Sequence, residues 1–327
     1  MGFNIWSEVP LSPGSLARLQ SLGQVNENGT FANLPGCDVA IIGPSTVDAG
    51  FIAQSGPGLK IALRSGIGYE KVDVATCSAH GVLTANTPDG PTESTAEQAV
   101  MLLLAIARNL YKAGQHLRAG QWNPYTELRG KELRDQLLGV VGFGRIGRRV
   151  TEICALGIQM PVLVFDPFVK VDVSRYPGIR VAESLDEVLQ QADFVTLHTP
   201  LMPETRHMIG ERELRLMKPG SYLVNVSRGG VIDEAALIRA LEQGHLAGAG
   251  LDVFEVEPTP IDNPLLRMSN VVATPHAGGN TLQGTERMMS GVIDQIEQLA
   301  AGQRPTFLLD PSAWPGRAKL LLQHTAL

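Results

Sequence analysis

Short apolar runs alternate with stretches of helical spacing along most of this 327-residue chain. Before residue 93, apolar runs at 39–42, 59–63 and 82–85 are bounded by glycine and proline, and helical patterns cover 13–22, 47–55 and 72–80. That alternation predicts a small parallel sheet with flanking helices. Ser94 and Glu97 then stand at capping-box spacing, followed by apolar residues at helical intervals to about Leu117. A helix of that length between two α/β series reads as a crossover between domains. A second series begins at Leu137, with strands expected at 137–141, 161–165, 193–197, 221–226, 247–251 and 270–274. Helices between them include 184–191, again with a capping box, and 233–243, ended by Gly244. A last helix over 281–301 is expected to carry the chain back to the first domain, and a short basic-apolar helix is a candidate within 311–327.

The first strand of the second series runs into Gly142-Phe143-Gly144-Arg145-Ile146-Gly147. In a G-x-G-x-x-G turn the first glycine makes the tight bend, the second admits a pyrophosphate to the backbone, and the third lets helix pack on strand. The helix expected at 146–156 would aim its free N–H groups and the positive end of its dipole at the phosphates. Asp166 closes the next strand about twenty residues on, where an acid accepts hydrogen bonds from an adenosine ribose. Pro167 and Phe168 follow, with no cation before Lys170. A 2′-phosphate would need a cation there and would be repelled by the carboxylate, so the pattern reads as a site for NAD in preference to NADP. The turn Arg64-Ser65-Gly66-Ile67-Gly68 also follows a strand but lacks the third glycine and the acid. It is a candidate for backbone donors to a small anion, and with equal weight a glycine turn that holds no ligand.

Composition narrows the partners. With 44% apolar and 18% charged residues, the chain resembles an ordinary soluble protein. A net charge of −6 and a pI near 5.7 argue against nucleic acid or an anionic membrane as partner. Cys37, Cys77 and Cys154 are scattered without C-x-x-C spacing, which fits core positions in a reducing cytosol. No basic segment followed by an apolar run opens the chain, and the longest apolar run, 99–107, is far below the ~20 residues of a membrane helix. The expectation is a soluble cytoplasmic protein with no metal site and no serine-nucleophile motif.

Three polar residues fall at or just after strand ends on the edge that carries the glycine turn: Arg228, Glu257 and His276. Hydride chemistry on a 2-hydroxy or 2-oxo acid needs such a set. An Arg fork binds a carboxylate and polarises a carbonyl. A His moves the hydroxyl proton near neutral pH, and a carboxylate beside it fixes its ring and favours its charged form. Singly, each has a duller reading: Arg228 a salt bridge to a surface acid, Glu257 a solvated loop acid, His276 a satisfied loop histidine; their shared edge raises the joint reading. His198 closes another strand and reads as a cofactor-side or structural residue, while His207 and His245 read as surface.

Several long segments then resemble the D-isomer-specific 2-hydroxyacid dehydrogenases: GFGRIG (142–147), DFVTLHTPLMPETRHMIG (193–210), MKPGSYLVNVSRGGVIDEAAL (217–237), GAGLDVFEVEP (248–258) and NVVATPHAGGNT (270–281). The resemblance implies that Arg228 binds and polarises the substrate and that His276 is the acid–base group with Glu257 as partner. It implies that Arg145 and Ile146 lie along the pyrophosphate with Gly142, Gly144 and Gly147, and that Asp166 meets the ribose. His198, Thr199, Pro200, Val226, Gly278 and His276 are implied as cofactor contacts, with Asp252 at the nicotinamide carboxamide. Ser65, Gly66, Ile67 and Gly68 match the family's substrate loop. The implied fold is α/β: a doubly wound Rossmann NAD domain, 98–282, inserted in a smaller flavodoxin-like α/β substrate domain made of 1–97 and 283–327. Family members are usually homodimers joined through their cofactor domains.

Glu257 stands where formate dehydrogenases of this fold have Gln, which argues against that activity. Glu70, after the substrate loop, departs from the Asp or Asn of many relatives. The implied activity is an NAD-dependent D-2-hydroxyacid dehydrogenase acting on a small-molecule acid. Two alternatives stay open: a short 3-phosphoglycerate dehydrogenase, for which Arg64 and Arg129 are the candidate phosphate cations, and an NAD-sensing corepressor-like binding protein.

Overall fold

A computed structural model describes residues 2–122, 126–172, 176 and 178–314. The tail helix expected within 311–327 lies, from 315 on, outside the described residues. In chain order the elements of the first part are β1 (Phe3–Ser7), α1 (Pro13–Leu22), β2 (Gly23–Asn26), β3 (Val39–Ile42), α2 (Ala49–Ser55), β4 (Ile61–Arg64), α3 (Val74–Ala79) and β5 (Leu83–Ala85). Then come α4 (Thr92–Ala107), α5 (Leu110–Arg118), β6 (Leu138–Val141), α6 (Arg145–Glu152), β7 (Val162–Phe165), β8 (Ile179–Val181), α7 (Leu185–Gln191) and β9 (Phe194–Leu197). The last are α8 (Glu211–Leu216), β10 (Ser221–Asn225), α9 (Glu234–Glu242), β11 (Leu246–Leu251), β12 (Val271–Ala273) and α10 (Leu282–Ala300). The chain forms two compact units, Met1–Pro91 with Gly279–Leu327, and Thr92–Gly278.

The smaller unit holds a parallel sheet in the order β2-β1-β3-β4-β5, the flavodoxin-like arrangement. Successive strand residues point to opposite faces. Ile5, Val39, Ile41, Ile61 and Leu63 pack on Leu19 of α1 and on Met289, Val292, Ile293 and Ile296 of α10. Trp6, Ala40, Ile42 and Ala62 pack on Phe51, Ile52 and Cys77 from the other side. The apolar pattern alone does not mark β1 and β2: Asn4 and Ser7 interrupt the first, and β2 is an edge strand with no fully buried residue. Pairing with β3 and burial decide β1, and pairing with β1 in turn decides β2.

The larger unit holds seven parallel strands in the order β12-β11-β10-β9-β6-β7-β8. Counted from β6 this is the doubly wound Rossmann order 3-2-1-4-5-6 with one strand more. Leu138, Val140, Val162, Val164 and Val224 face Ala99, Leu102, Leu103 and Ile106 of α4 and Val150 of α6. Val141, Leu163, Val195, Leu197 and Leu223 face α7, α8 and α9.

Three expectations need correction here. The pattern predicts six strands; the seventh, β8, is a three-residue edge strand with one buried position, too short to register as an apolar run. The single helix expected from Ser94 to about Leu117 starts two residues earlier, at Thr92, and is broken between α4 and α5 by Asn109, whose φ is +52°. The break is tertiary: the Ala107 carbonyl accepts from Lys131 N–H at 2.8 Å, and the Asn109 amide donates to the Arg129 carbonyl at 3.2 Å. The helix expected at 146–156 is α-helical only to Glu152 and continues as a π-turn over Ile153–Ile158. The two compact units meet in the chain at 91/92 and 278/279, with α4 whole in the larger one.

Candidate active site

The glycine turn sits between β6 and α6, and its glycines differ in what crowds them. A Cβ on Gly147 would lie 2.0 Å from the Gly142 carbonyl oxygen, so this position is where helix and turn touch. Gly142 has φ +94° and its Cβ would meet the His198 carbonyl at 2.7 Å. At Gly144 a Cβ would meet nothing within 4 Å. The open position is the one at the N-terminus of α6, where backbone and helix dipole are free for an anion. Asp166, just past β7, is tied into the same turn: its Oδ2 accepts from Phe143 N–H at 2.7 Å, and its Oδ1 from the N–H groups of Phe168 and Val169 at 2.8 and 3.0 Å.

Two buried polar atoms at the end of β9, His198 Nδ1 and Thr199 Oγ1, have no partner among the described residues. His198 Nε2 is 3.0 Å from Thr196 Oγ1, and burial pushes the imidazole down to about 3, so the ring is neutral in the physiological range. Orphaned groups beside an open glycine turn fit a ligand rich in hydroxyls and phosphates. The residues present therefore fit a dinucleotide. Pro200 is exposed, Val226 is buried behind β10, and Arg145 is exposed with Ile146 half-buried.

Arg228 follows β10, with its backbone locked from below. Asn225 Nδ2 donates to the Arg228 carbonyl at 2.9 Å, while Asn225 Oδ1 accepts from Ser227 N–H and Oγ–H. A Cβ on Gly229 would lie 1.9 Å from the Phe254 carbonyl group, so only glycine lets the Arg228 turn rest on the loop that carries Glu257. There Glu257 Oε1 accepts from Phe254 N–H at 3.0 Å, and Oε2 lies 2.8 Å from His276 Nδ1. Burial alone would raise the Glu257 carboxyl. The hydrogen bonds from His276 and Phe254 and the charges of His276 and Arg228 outweigh it and hold the group below the usual carboxylate range. The larger unit therefore brings these three residues together. Nδ1 of His276 faces Glu257, which leaves Nε2 as the other ring nitrogen; the side chain is 48% exposed.

His276 has φ +52°, an uncommon conformation for a residue with a side chain. Its N–H donates to the carbonyls of Asp252 and Thr274 at 2.7 and 3.1 Å. The Asp252 side chain holds the rest of the loop. It is 1% exposed, accepting from Ala277 N–H, Gly278 N–H and Thr274 Oγ–H at 2.9, 2.8 and 2.5 Å and from Gln98 Nε2 at 3.2 Å. Sequence reasoning missed this network. Asn225 and Thr274 stand at strand ends just before Arg228 and His276, and Gln98 is a lone amide in an apolar helix; those signals were available.

In the smaller unit the Ser65–Gly68 turn follows β4. Gly66 N–H donates to Thr87 Oγ1 at 2.9 Å, and the Ile67 and Gly68 carbonyls accept from Asn86 Nδ2 and Arg64 Nε at 2.7 and 3.1 Å. Ser65 N–H donates to the Ile42 carbonyl at 3.1 Å, so the N–H groups of Ile67 and Gly68 are the ones left for a ligand. Arg64 thus supports its own turn, and Arg129 is an exposed loop residue of the other unit. Burial pushes Cys37 and Cys77 up to about 11 and Cys154 to about 12, so none is a ready nucleophile. His207, read as surface, sits in a short contact with Glu255 and has φ +51°. Among the described residues no cluster of His, Cys, Asp and Glu could hold a metal, and no helix is long and apolar enough to cross a membrane.

A family model described as "D-isomer specific 2-hydroxyacid dehydrogenase, NAD binding domain" matches residues 100–278. The chain is 40% identical over 263 residues to a glyoxylate reductase of Korarchaeum cryptofilum, covering 79% of this chain and 78% of that protein. It is 35% identical over 300 residues to a D-3-phosphoglycerate dehydrogenase of Methanocaldococcus jannaschii, covering 90% of this chain. The chain spans only 57% of that relative's length. Among solved structures, a D-lactate dehydrogenase of Aquifex aeolicus complexed with NAD and lactic acid is 28% identical, with a TM-score of 0.81 over 94% of this chain and 98% of that one.

Proposed function

The chain belongs to the D-isomer specific 2-hydroxyacid dehydrogenase family, and on that premise we propose that it moves a hydride between NAD(H) and C2 of a small D-2-hydroxy or 2-oxo acid. The observation that carries this reading is the His276–Glu257 pair, 2.8 Å apart, on a loop packed against the Arg228 turn. NAD, when bound, supplies or accepts the hydride. The rest falls to the chain's own side chains. Arg228 binds the carboxylate and draws electron density from the carbonyl oxygen. His276 Nε2 gives a proton to the developing alkoxide in reduction and takes it back in oxidation. Glu257 holds the ring and balances the imidazolium charge. The amides of Ile67 and Gly68 are assigned to the carboxylate, and those of Gly144, Arg145 and Ile146 to the pyrophosphate. Asp252 and Gly278 are assigned to the nicotinamide end, His198, Thr199, Pro200 and Val226 to the remaining cofactor surface.

NADH consumption by the purified protein tests this, read against glyoxylate, hydroxypyruvate, pyruvate, phenylpyruvate and 3-phosphohydroxypyruvate. We expect turnover of at least one acid. NADPH should be used at least about tenfold less well, because the Asp166 carboxylate, assigned to the ribose, would repel a 2′-phosphate. Binding of NADH without turnover of any acid would sink the enzyme reading and favour a cofactor-sensing protein. The name of the Methanocaldococcus relative favours 3-phosphoglycerate as a second reading, and the last acid of the panel tests it.

The protein is also proposed to be a homodimer. Supporting this, α4 is apolar on both faces: Val100, Met101 and Leu104 join Leu110 and Ile153 around a groove of about 510 Å³ on the larger unit. Leu110 is 62% exposed, and a contiguous apolar surface of this kind is uncommon on a monomer. Light scattering should give twice the 35.1 kDa chain mass, and Leu104→Glu should return it to the monomer value.

A further inference from the structure

The parallel order β2-β1-β3-β4-β5 of the smaller unit has its switch point between β1 and β3, and ligands of open α/β sheets bind outside the carboxyl ends of strands at such a point. That position is filled by the protein itself. Glu8, the residue after β1, turns its carboxylate into the loop that follows β3. Its Oε2 accepts from Gly43 N–H and Ser45 N–H at 2.6 and 3.3 Å, and its Oε1 from Ser45 Oγ–H at 2.5 Å. Three donors converging from one short loop form an anion receptor, and the chain's own carboxylate occupies it.

The neighbouring turn is different. Ser65 N–H is bonded to the Ile42 carbonyl, so the loops after β3 and β4 lie side by side. With Gly66 N–H spent on Thr87, Ile67 and Gly68 supply the free donors. The cations along this edge support carbonyls: Arg64 at Gly68, Lys71 at Pro44 at 3.2 Å, and Arg287 at Gly90 at 3.1 Å. The 43–46 loop itself is Gly-Pro-Ser-Thr and carries no cation.

We infer that this edge accepts one anionic group and rejects a second, so that the substrate is a 2-oxo monocarboxylic acid with a small uncharged substituent on C2. The inference rests on the 2-oxo acid reading proposed above and chooses within it. A phosphate or second carboxylate at C3 would meet the fixed charge of Glu8 with its matching donors already taken. A hydrogen, methyl or hydroxymethyl group would not.

The test compares hydroxypyruvate with 3-phosphohydroxypyruvate, and pyruvate with oxaloacetate, as substrates of the full chain with NADH. We expect kcat/KM for each uncharged-tail acid to exceed that of its charged counterpart by about a hundredfold, the size of one like-charge contact at a few ångströms in a partly screened site. The ratio should fall as salt is raised toward about 1 M, where the screening length is ~3 Å. Glu8→Gln keeps one oxygen acceptor for the Gly43 and Ser45 amides while removing the charge, and should remove most of the hundredfold ratio, through KM of the charged acid. A circular dichroism spectrum and melting temperature matching those of the unaltered chain check that the variant is folded. Turnover of the phosphorylated acid equal to or better than hydroxypyruvate in the unaltered protein would overturn this inference alone. Failure of all four acids with NADH bound would overturn the 2-oxo acid reading, and this inference with it.

Discussion

His276→Ala should lose about a thousandfold in kcat for whichever acid is turned over, with KM little changed. General acid–base catalysis contributes ~10²–10⁴-fold, and His276 Nε2, which the pairing of Nδ1 with Glu257 leaves open, is the atom proposed to carry the proton. The pH dependence carries a sharper test. Reduction needs the imidazolium and falls as pH rises; oxidation needs the neutral ring and falls as pH drops. Glu257, held below the usual carboxylate range, stays ionised through that window, so neither limb reports its own titration. Glu257→Gln removes the negative charge that favours the imidazolium. Both limbs should therefore move to lower pH: reduction fades earlier, and oxidation persists further toward acid. Profiles that superimpose on those of the unaltered enzyme would remove Glu257 from the mechanism.

Arg228→Gln is expected to cost about a thousandfold in kcat/KM, at the upper end of the ~10²–10³ seen for loss of one preorganised donor to a developing oxyanion. Arg228→Lys should recover part of this and remain about a hundredfold impaired. An ammonium keeps the charge but not the planar fork that meets a carboxylate and a carbonyl together. The Asn225 clamp on the backbone of Arg228 is untouched by either change, and NADH affinity should hold within a few-fold. Steady-state kinetics on the best acid, with NADH titration by fluorescence, separates the two readouts. If Arg228→Lys matches the unaltered enzyme, the fork has no role and Arg228 acts as a point charge alone.

Much of this was legible in the residues. The expected helix at 13–22 coincides with α1, and those at 233–243 and 281–301 match α9 and α10 within a residue at each end. Asp233 and Thr281 are their N-caps, so the signal was a side-chain oxygen accepting an N–H three residues on. The glycine turn was readable for a similar reason: bond geometry over six residues leaves few choices, and Gly147 and Gly142 are required by contacts at 2.0 and 2.7 Å.

What sequence alone determined, then, are features whose causes lie within a few residues: periodic burial, caps, the glycine turn, and the positions of Arg228 and His276 just past strand ends. Tertiary structure alone decided what depends on partners far along the chain. Strand β1 exists because β3 pairs with it, and the α4–α5 break because Lys131 and Arg129 cap it. Asp252 acquires its four donors from α4 and from the loop after β12, 22 to 154 residues away. Glu8 gains its three donors only once β1 and β3 lie side by side and the Gly43–Ser45 loop closes on it. Local propensity cannot encode such contacts, because their energy is gained only once the sheet has brought the two segments together.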